Sequence, residues 1–289
     1  MTTVRCLTAL VVLALAAALA GCGDGPPSSL FNASGYHVRG DTVYYLNAFP
    51  GDAVELEQAD AATFTALDST YAKDSDTVFL DGVPLAEADA ASFELLDEPN
   101  YSRDARHVFV RDRVLTEDVD HFTLDGGFAR DSLHVYGSGG EVLSDDPEHF
   151  VEISHDDGYL FTKDSTVVSV SGNAIKGADP ATFEVLRGAY AKDAEETYYF
   201  DQVVDDADPA SFEALEGSYA RDRNHAYWMG KVVPGADPGT FVVLNPNFEC
   251  TADAEHAYYR DQLIQGFDPS TIPADETVTN CSETSLSTY

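Results

Sequence analysis

Seven aspartates recur along the chain at near-regular intervals: Asp74, Asp104, Asp131, Asp164, Asp193, Asp222 and Asp253. Repeated loop carboxylates can hold Ca²⁺, which takes about six to eight oxygen ligands. The same residue type also does structural work, because an aspartate opening a turn accepts hydrogen bonds from amides two residues on. That reading is the stronger. Calcium loops gather several carboxylates with glycine, and only Asp74-Ser75-Asp76 and Asp156-Asp157-Gly158 approach such a loop. Histidine recurs three residues after the aspartate, at His107, His134, His225 and His256. Stacked, these could form a metal ladder, since imidazole is a common ligand. Thr77 and Thr197 fill the same slot, however, so the slot reads as the start of a strand whose side chain bonds back to the turn. The expected cofactor set is therefore empty, with Ca²⁺ as the one alternative.

A basic residue precedes most of these aspartates: Lys73, Arg103, Arg130, Lys163, Lys192 and Arg221. A row of them could grip an acidic glycan. The plainer reading is that each offsets local acidic repulsion, at a few tenths of a kcal/mol per exposed pair. Aromatics are abundant, with 16 Phe, 15 Tyr and one Trp. They can fill a thin core between short strands or stack on sugar rings. Tyr199 and Trp228 are the candidates to meet a ligand. No nucleophile elbow, zincin helix, phosphate loop or dinucleotide fingerprint is present. Among 51 acidic residues some carboxylate pair is inevitable, so a polysaccharide-cleaving site stays open as an alternative. Its signature would be a cleft joining Asp156 and Asp157, in a local insertion, to an exposed aromatic. Nearly every other polar residue of note is a repeated position, whereas catalysis needs a unique constellation. The chain is read as not an enzyme.

The cysteines carry a separate chemistry. Arg5 is followed by an apolar run from Leu7 to Leu19 and then small residues, the order of a secretory signal. The run is shorter than the ~20 residues of a spanning helix. Leu19-Ala20-Gly21-Cys22 resembles the bacterial lipobox, which implies cleavage before Cys22 and lipid attachment to its thiol. Residues 1–21 are thus expected to leave, and 22–35 to form a lipid-anchored tether. Acyl chains contribute ~0.8 kcal/mol per buried methylene, enough together for firm membrane attachment. Gly23 after the cysteine leans toward the outer membrane if the host has one, and otherwise toward the extracytoplasmic face of the cell membrane. Cys250 and Cys281 remain, an even pair in an oxidising compartment, and are expected to form a disulfide. The net charge is −35, and loss of the signal leaves 15 basic against 51 acidic residues. Such a field repels nucleic acid and anionic membrane surfaces. At 44% hydrophobic the chain can still build a core.

The elements that must position these groups repeat. Phe64, Phe93, Phe122, Phe150, Phe183, Phe212 and Phe241 follow one another at steps of 29, 29, 28, 33, 29 and 29. Each repeat opens with Ala-Asp-Pro-x-Ser/Thr-Phe, where Asp179 or Asp208 suits an N-cap and Pro180 or Pro209 the first helical position. One helical turn is expected there. Three short strands follow: an aromatic run into the basic-acidic pair, a returning run such as Thr197-Tyr198-Tyr199-Phe200, and a third such as Lys231-Val232-Val233.

The Lys/Arg-Asp-turn-Val/Ala-Tyr-Tyr core and the Ala-Asp-Pro-x-Thr-Phe opening resemble the DKNYY repeat family over about residues 36–270. That resemblance implies a largely bacterial, often exported repeat protein and assigns no activity. The fourth repeat departs by an insertion around His155-Asp156-Asp157-Gly158, and the seventh by Ala252-Asp253 in place of the basic-acidic pair. The expected fold is all-β: an array over 36–270 of short antiparallel strands with one-turn helices at the junctions, closed by a cap over 271–289. An open solenoid-like stack is favoured and a seven-bladed propeller is the alternative. The expected function is a non-catalytic envelope lipoprotein binding a protein or glycan, with a calcium- or metal-binding surface protein and a polysaccharide-acting enzyme as alternatives.

Overall fold

Four short strands, not three, make up each full repeat. In the computed structural model, which describes residues 25–156, 158–273 and 276–289, the fifth repeat runs through Glu184–Arg187, Tyr190–Lys192, Thr197–Tyr199 and Gln202–Val203. These strands are hydrogen-bonded in that order, all antiparallel, with Tyr190 opposite Tyr199 and Ala191 opposite Tyr198. The segment read from sequence as one strand is two. Gly188, in the left-handed region at φ 57°, folds the chain back between them.

The junctions also differ from expectation. Asp179-Pro180-Ala181-Thr182 closes a single β-turn, with the Thr182 amide donating to the Asp179 carbonyl at 3.2 Å. The Asp179 carboxylate caps it by accepting from the Ala181 amide and the Thr182 hydroxyl. The next residue, Phe183, is buried and must point into the core, so the turn cannot continue as helix. Opening turns tighten to 3-10 helix at Val119–His121 and Pro269–Thr271, and a further 3-10 helix, Pro246–Phe248, lies in the first hairpin of repeat 7.

The last turn of repeats 1, 4 and 6 is a two-residue hairpin with left-handed backbone at both positions, as in Met229-Gly230 (φ 49° and 74°). This geometry matches the twist of the flanking strands. A Cβ on Gly230 would sit 2.7 Å from the Cβ of Tyr199 in the preceding repeat. Gly230→Ala is therefore expected to cost about 2 kcal/mol in urea unfolding, from strain and clash together. An unchanged midpoint would contradict the packing of that turn on its neighbour.

The chain forms two compact units. One ends at Ser132 and takes in Ser138–Gly140; the other comprises Leu133–Gly137 and Glu141–Tyr289. The first holds an N-terminal sheet (Gly35–Arg39, Thr42–Leu46, Ala53–Glu55), the sheets of repeats 1 and 2, and the first hairpin of repeat 3. The second holds the last hairpin of repeat 3, the sheets of repeats 4 to 7, and a C-terminal hairpin, Val278–Ser282 with Ser285–Thr288.

Within each unit the core lies between successive sheets. Tyr190 and Val204 of repeat 5 pack on Phe212, Ala220 and Tyr227 of repeat 6. Tyr219 and Val233 of repeat 6 pack on Phe241 and Tyr258 of repeat 7. In the first unit Tyr71, Val78 and Leu80 meet Phe93 and Phe109. The regularly spaced phenylalanine is the shared member. Phe212 lies 5.5 Å from the Tyr190 ring and 5.4 Å from Tyr227, in tilted contacts that suit aromatic quadrupoles. In these pairs neither sheet buries its face alone, so each is stabilised by its neighbour.

The structure pairs Cys250 with Cys281, which fastens the C-terminal hairpin to repeat 7. Asn245 supports the same junction, donating from its side-chain amide to the Val278 carbonyl at 2.8 Å. The expected signal and lipidated Cys22 lie outside the described residues. Among the described residues, no helix is long and apolar enough to cross a membrane.

Candidate functional site

The repeated aspartates are buried clamps. Asp222 Oδ1 accepts from the amides of Asn224 and His225, both at 2.7 Å, and so closes its own turn. Its Oδ2 accepts from the Asp208 amide at 2.8 Å and from the Tyr227 hydroxyl at 2.9 Å. One carboxylate thus joins the opening turn, the central turn and the third strand of the repeat. Asp193 and Asp253 make the same set, and Asp74 and Asp104 the amide part of it. Asp164 takes the Ser144 hydroxyl where the others take an opening amide.

Burial disfavours the charge on Asp104, Asp164, Asp193, Asp222 and Asp253, but these hydrogen bonds outweigh it and hold each carboxyl below its ordinary pKa. With both oxygens engaged, the clamps answer to turn architecture. The histidine slot is mixed: His107 Nδ1 bonds back to Asp104 at 3.4 Å, whereas the Thr197 hydroxyl is buried without a partner.

The tyrosine partners respond in the opposite sense. Burial first, and the nearby carboxylate second, push Tyr198, Tyr227 and Tyr258 above the usual phenol range. A raised folded-state pKa contributes stability that is intact below the unfolded value near ~10 and is lost as pH rises past it. Phenolate absorbance should therefore lag behind a free-tyrosine curve and then climb together with unfolding. Independent ionisation of these tyrosines in the folded protein would contradict the clamp.

The basic residues do more than offset charge. Lys73 Nζ donates to the carbonyls of Ala90 (2.8 Å) and Phe93 (2.9 Å) in the opening turn of the next repeat. Lys163 reaches the Pro180 carbonyl at 2.7 Å, Lys192 that of Pro209 at 3.3 Å, and Arg221 that of Pro238 at 3.4 Å. Arg103 instead pairs with Glu94 of its own repeat at 2.6 Å. Most of this row is therefore mortar between repeats.

With aspartates and most cations committed to the scaffold, the uncommitted chemistry lies on the turns between first and second strands. In the second unit these turns border a cavity of about 390 Å³, within the range of small-ligand sites. Tyr159 and Tyr199 form its aromatic part; Arg187, Glu216, Ser218 and Asn247 supply polar groups from successive repeats. Gly188 and Gly217, both left-handed, keep the turns low. Burial raises the Tyr199 pKa, the Ser218 side chain lowers it in part, and Tyr159 raises it again. In the first unit the equivalent turns of repeats 2 and 3 border a smaller cavity of about 260 Å³, walled by Tyr101, Leu124 and Phe128.

The insertion of repeat 4 explains how Tyr159 arrives. It lengthens the first hairpin to Val151–Asp156 and Tyr159–Lys163, with Asp156 opposite Tyr159 in the register. Tyr159 then meets Phe200 edge-on at 6.1 Å and reaches the Tyr199 cavity. Asp157 lies outside the described residues. Of the sequence candidates, Tyr199 lines the cavity and Trp228 does not. Trp228 is half-buried, its indole N–H buried without a partner and the Arg260 guanidinium 5.6 Å from its ring. Arg187, Glu216 and Asn247 were not singled out from sequence. For Arg187 and Glu216 the available signal was variation at a fixed slot, four residues after each phenylalanine; Asn247 lies outside that slot.

The chain is an all-β tandem-repeat protein whose four-stranded sheets are clamped by buried aspartates and share aromatic cores. The DKNYY family model matches residues 28–113 and 128–262, and the chain belongs to the DKNYY family. No match is found among curated proteins or among solved structures.

Proposed function

We propose that the mature protein is a lipid-anchored envelope protein, held through Cys22, that binds a glycan along the first turns of its repeats without transforming it. One observation carries the binding reading: Tyr159 and Tyr199 face a polar cavity whose other groups come from three successive repeats. Aromatic faces with a few placed polar groups suit sugar rings, which present C–H faces and hydroxyl edges. A row of turns repeated along an array suits a linear polymer. Glu216 is the one carboxylate among the described residues lining the cavity, whereas glycoside hydrolysis ordinarily takes a facing pair.

The test is a glycan array probed with the mature protein and with Tyr199→Ala and Tyr159→Ala. Each substitution is expected to lower affinity at least about tenfold while the protein stays folded. Wild-type binding that survives both changes, or no binding to any glycan, overturns the reading. Anchoring is tested separately by intact mass of the membrane fraction. Acyl mass that vanishes in Cys22→Ala, with release to the soluble fraction, supports it, and an unlipidated wild-type chain refutes it.

A further inference from the structure

We propose that the ligand of the Tyr159–Tyr199 cavity carries a carboxylate, as a uronic or other acidic sugar does, and that Arg187 is its seat. The proposal rests on the glycan reading above and names the ligand class.

The first observation is a departure from the repeat. Four residues after the phenylalanine, the other repeats carry Asp68, Asp97, Gly126, Ser154, Glu216 and Asn245; only repeat 5 places a cation there. In so acidic a chain this is the one repeat whose slot reverses its charge. The second observation is the state of that cation. Of the arginines in the second unit, Arg221 pairs with Glu213 at 3.0 Å, Arg260 with Glu249 at 2.5 Å, and Arg223 with Asp208. The Arg187 side chain has no ion pair or hydrogen-bond partner among the described residues, is exposed, and lines the cavity. The third is its placement. A register shift between Val185 and Arg187 puts it at a bulge, opposite Tyr190, and bulges re-aim side chains.

A guanidinium offers a planar fork that fits a carboxylate with two parallel hydrogen bonds. The protein's overall negative charge opposes an anionic ligand at long range, but screening limits that field to about 8 Å at physiological salt. At contact the nearest group decides. Glu216 and Asn247 are left to accept from, and donate to, the sugar hydroxyls.

The experiment is the same array, carrying uronate, amino-sugar and neutral glycans, probed with wild type, Arg187→Gln and Arg187→Lys. Bound glycans are expected to be carboxylate-bearing. Arg187→Gln should weaken them about ten- to hundred-fold, with partial recovery in Arg187→Lys. Reducing the glycan carboxyls to alcohols should remove the same increment from wild type and none from Arg187→Gln. Binding confined to neutral or amino sugars, or unchanged in Arg187→Gln, overturns this proposal while the glycan reading stands. Absence of any Tyr199-dependent binding overturns both.

Discussion

Asp222→Ala should destabilise repeat 6 by about 3–5 kcal/mol, because it strips one acceptor from three amides and a phenol at once. Asp222 is 4% exposed, so water cannot replace the lost carboxylate without opening the turn. Asp222→Asn should cost less, since its carbonyl oxygen still accepts from Asn224 and His225. Its NH₂ then faces the donors of Asp208 and Tyr227. Because repeats are coupled through shared cores, loss should spread to repeats 5 and 7 before more distant ones. Urea unfolding with hydrogen exchange reads both size and spread. A loss under about 1 kcal/mol would mean the clamp is not structural.

The same group sets the acid response. Asp104, Asp164, Asp193, Asp222 and Asp253 have folded pKa values below their unfolded ones. Their contribution is intact above the unfolded value near ~3.9 and fades as pH falls through that value toward the folded one. Protonation of the surface carboxylates relieves repulsion and works the other way. Stability should therefore fall steeply only below about pH 4, and Asp222→Ala should flatten that fall.

Replacing both Cys250 and Cys281 by alanine should cost about 3–4 kcal/mol. The bridge spans 31 residues, and the chain-entropy relation gives that size for such a loop. Both sulfurs are buried against Ala252, Ile264 and Val278, so the lost side-chain volume adds to the effect. The C-terminal hairpin, Val278–Thr288, should lose its slow-exchanging amides first. Equal stability of the oxidised and reduced protein would contradict this. The result bears on location too, since a chain that needs its disulfide is suited to an oxidising envelope.

The repeat was legible because one residue type, phenylalanine, kept its place at a fixed spacing, and Phe93, Phe183, Phe212 and Phe241 each sit in a core between successive sheets. The turn role of Asp74 and its equivalents was legible because Asp acts on amides two and three residues on. Its second oxygen was not: the Asp60–Asp74 and Asp208–Asp222 bonds join residues 14 apart, which requires the sheet to be closed first. Lys73 and Lys163 were hidden for a related reason, because their acceptors lie in the following repeat. The split of the first expected strand escaped notice because the turn that divides it, Gly188-Ala189 in repeat 5, is only two residues long. Tyr199 was a fair candidate, but aromatic count alone did not separate it from Trp228. Tyr159 was missed since the length of an insertion does not say where its hairpin points.

Hydrogen exchange of the mature protein, with and without the glycan that binds best on the array, would locate the ligand on the repeats. Protection is expected in peptides covering 158–160, 186–190, 215–219 and 245–248, the first turns of repeats 4 to 7, with little change elsewhere in those repeats. Protection centred instead on the fourth strands, such as Gln202–Val203 and Gln262–Leu263, would place the ligand on another face and contradict the proposed site.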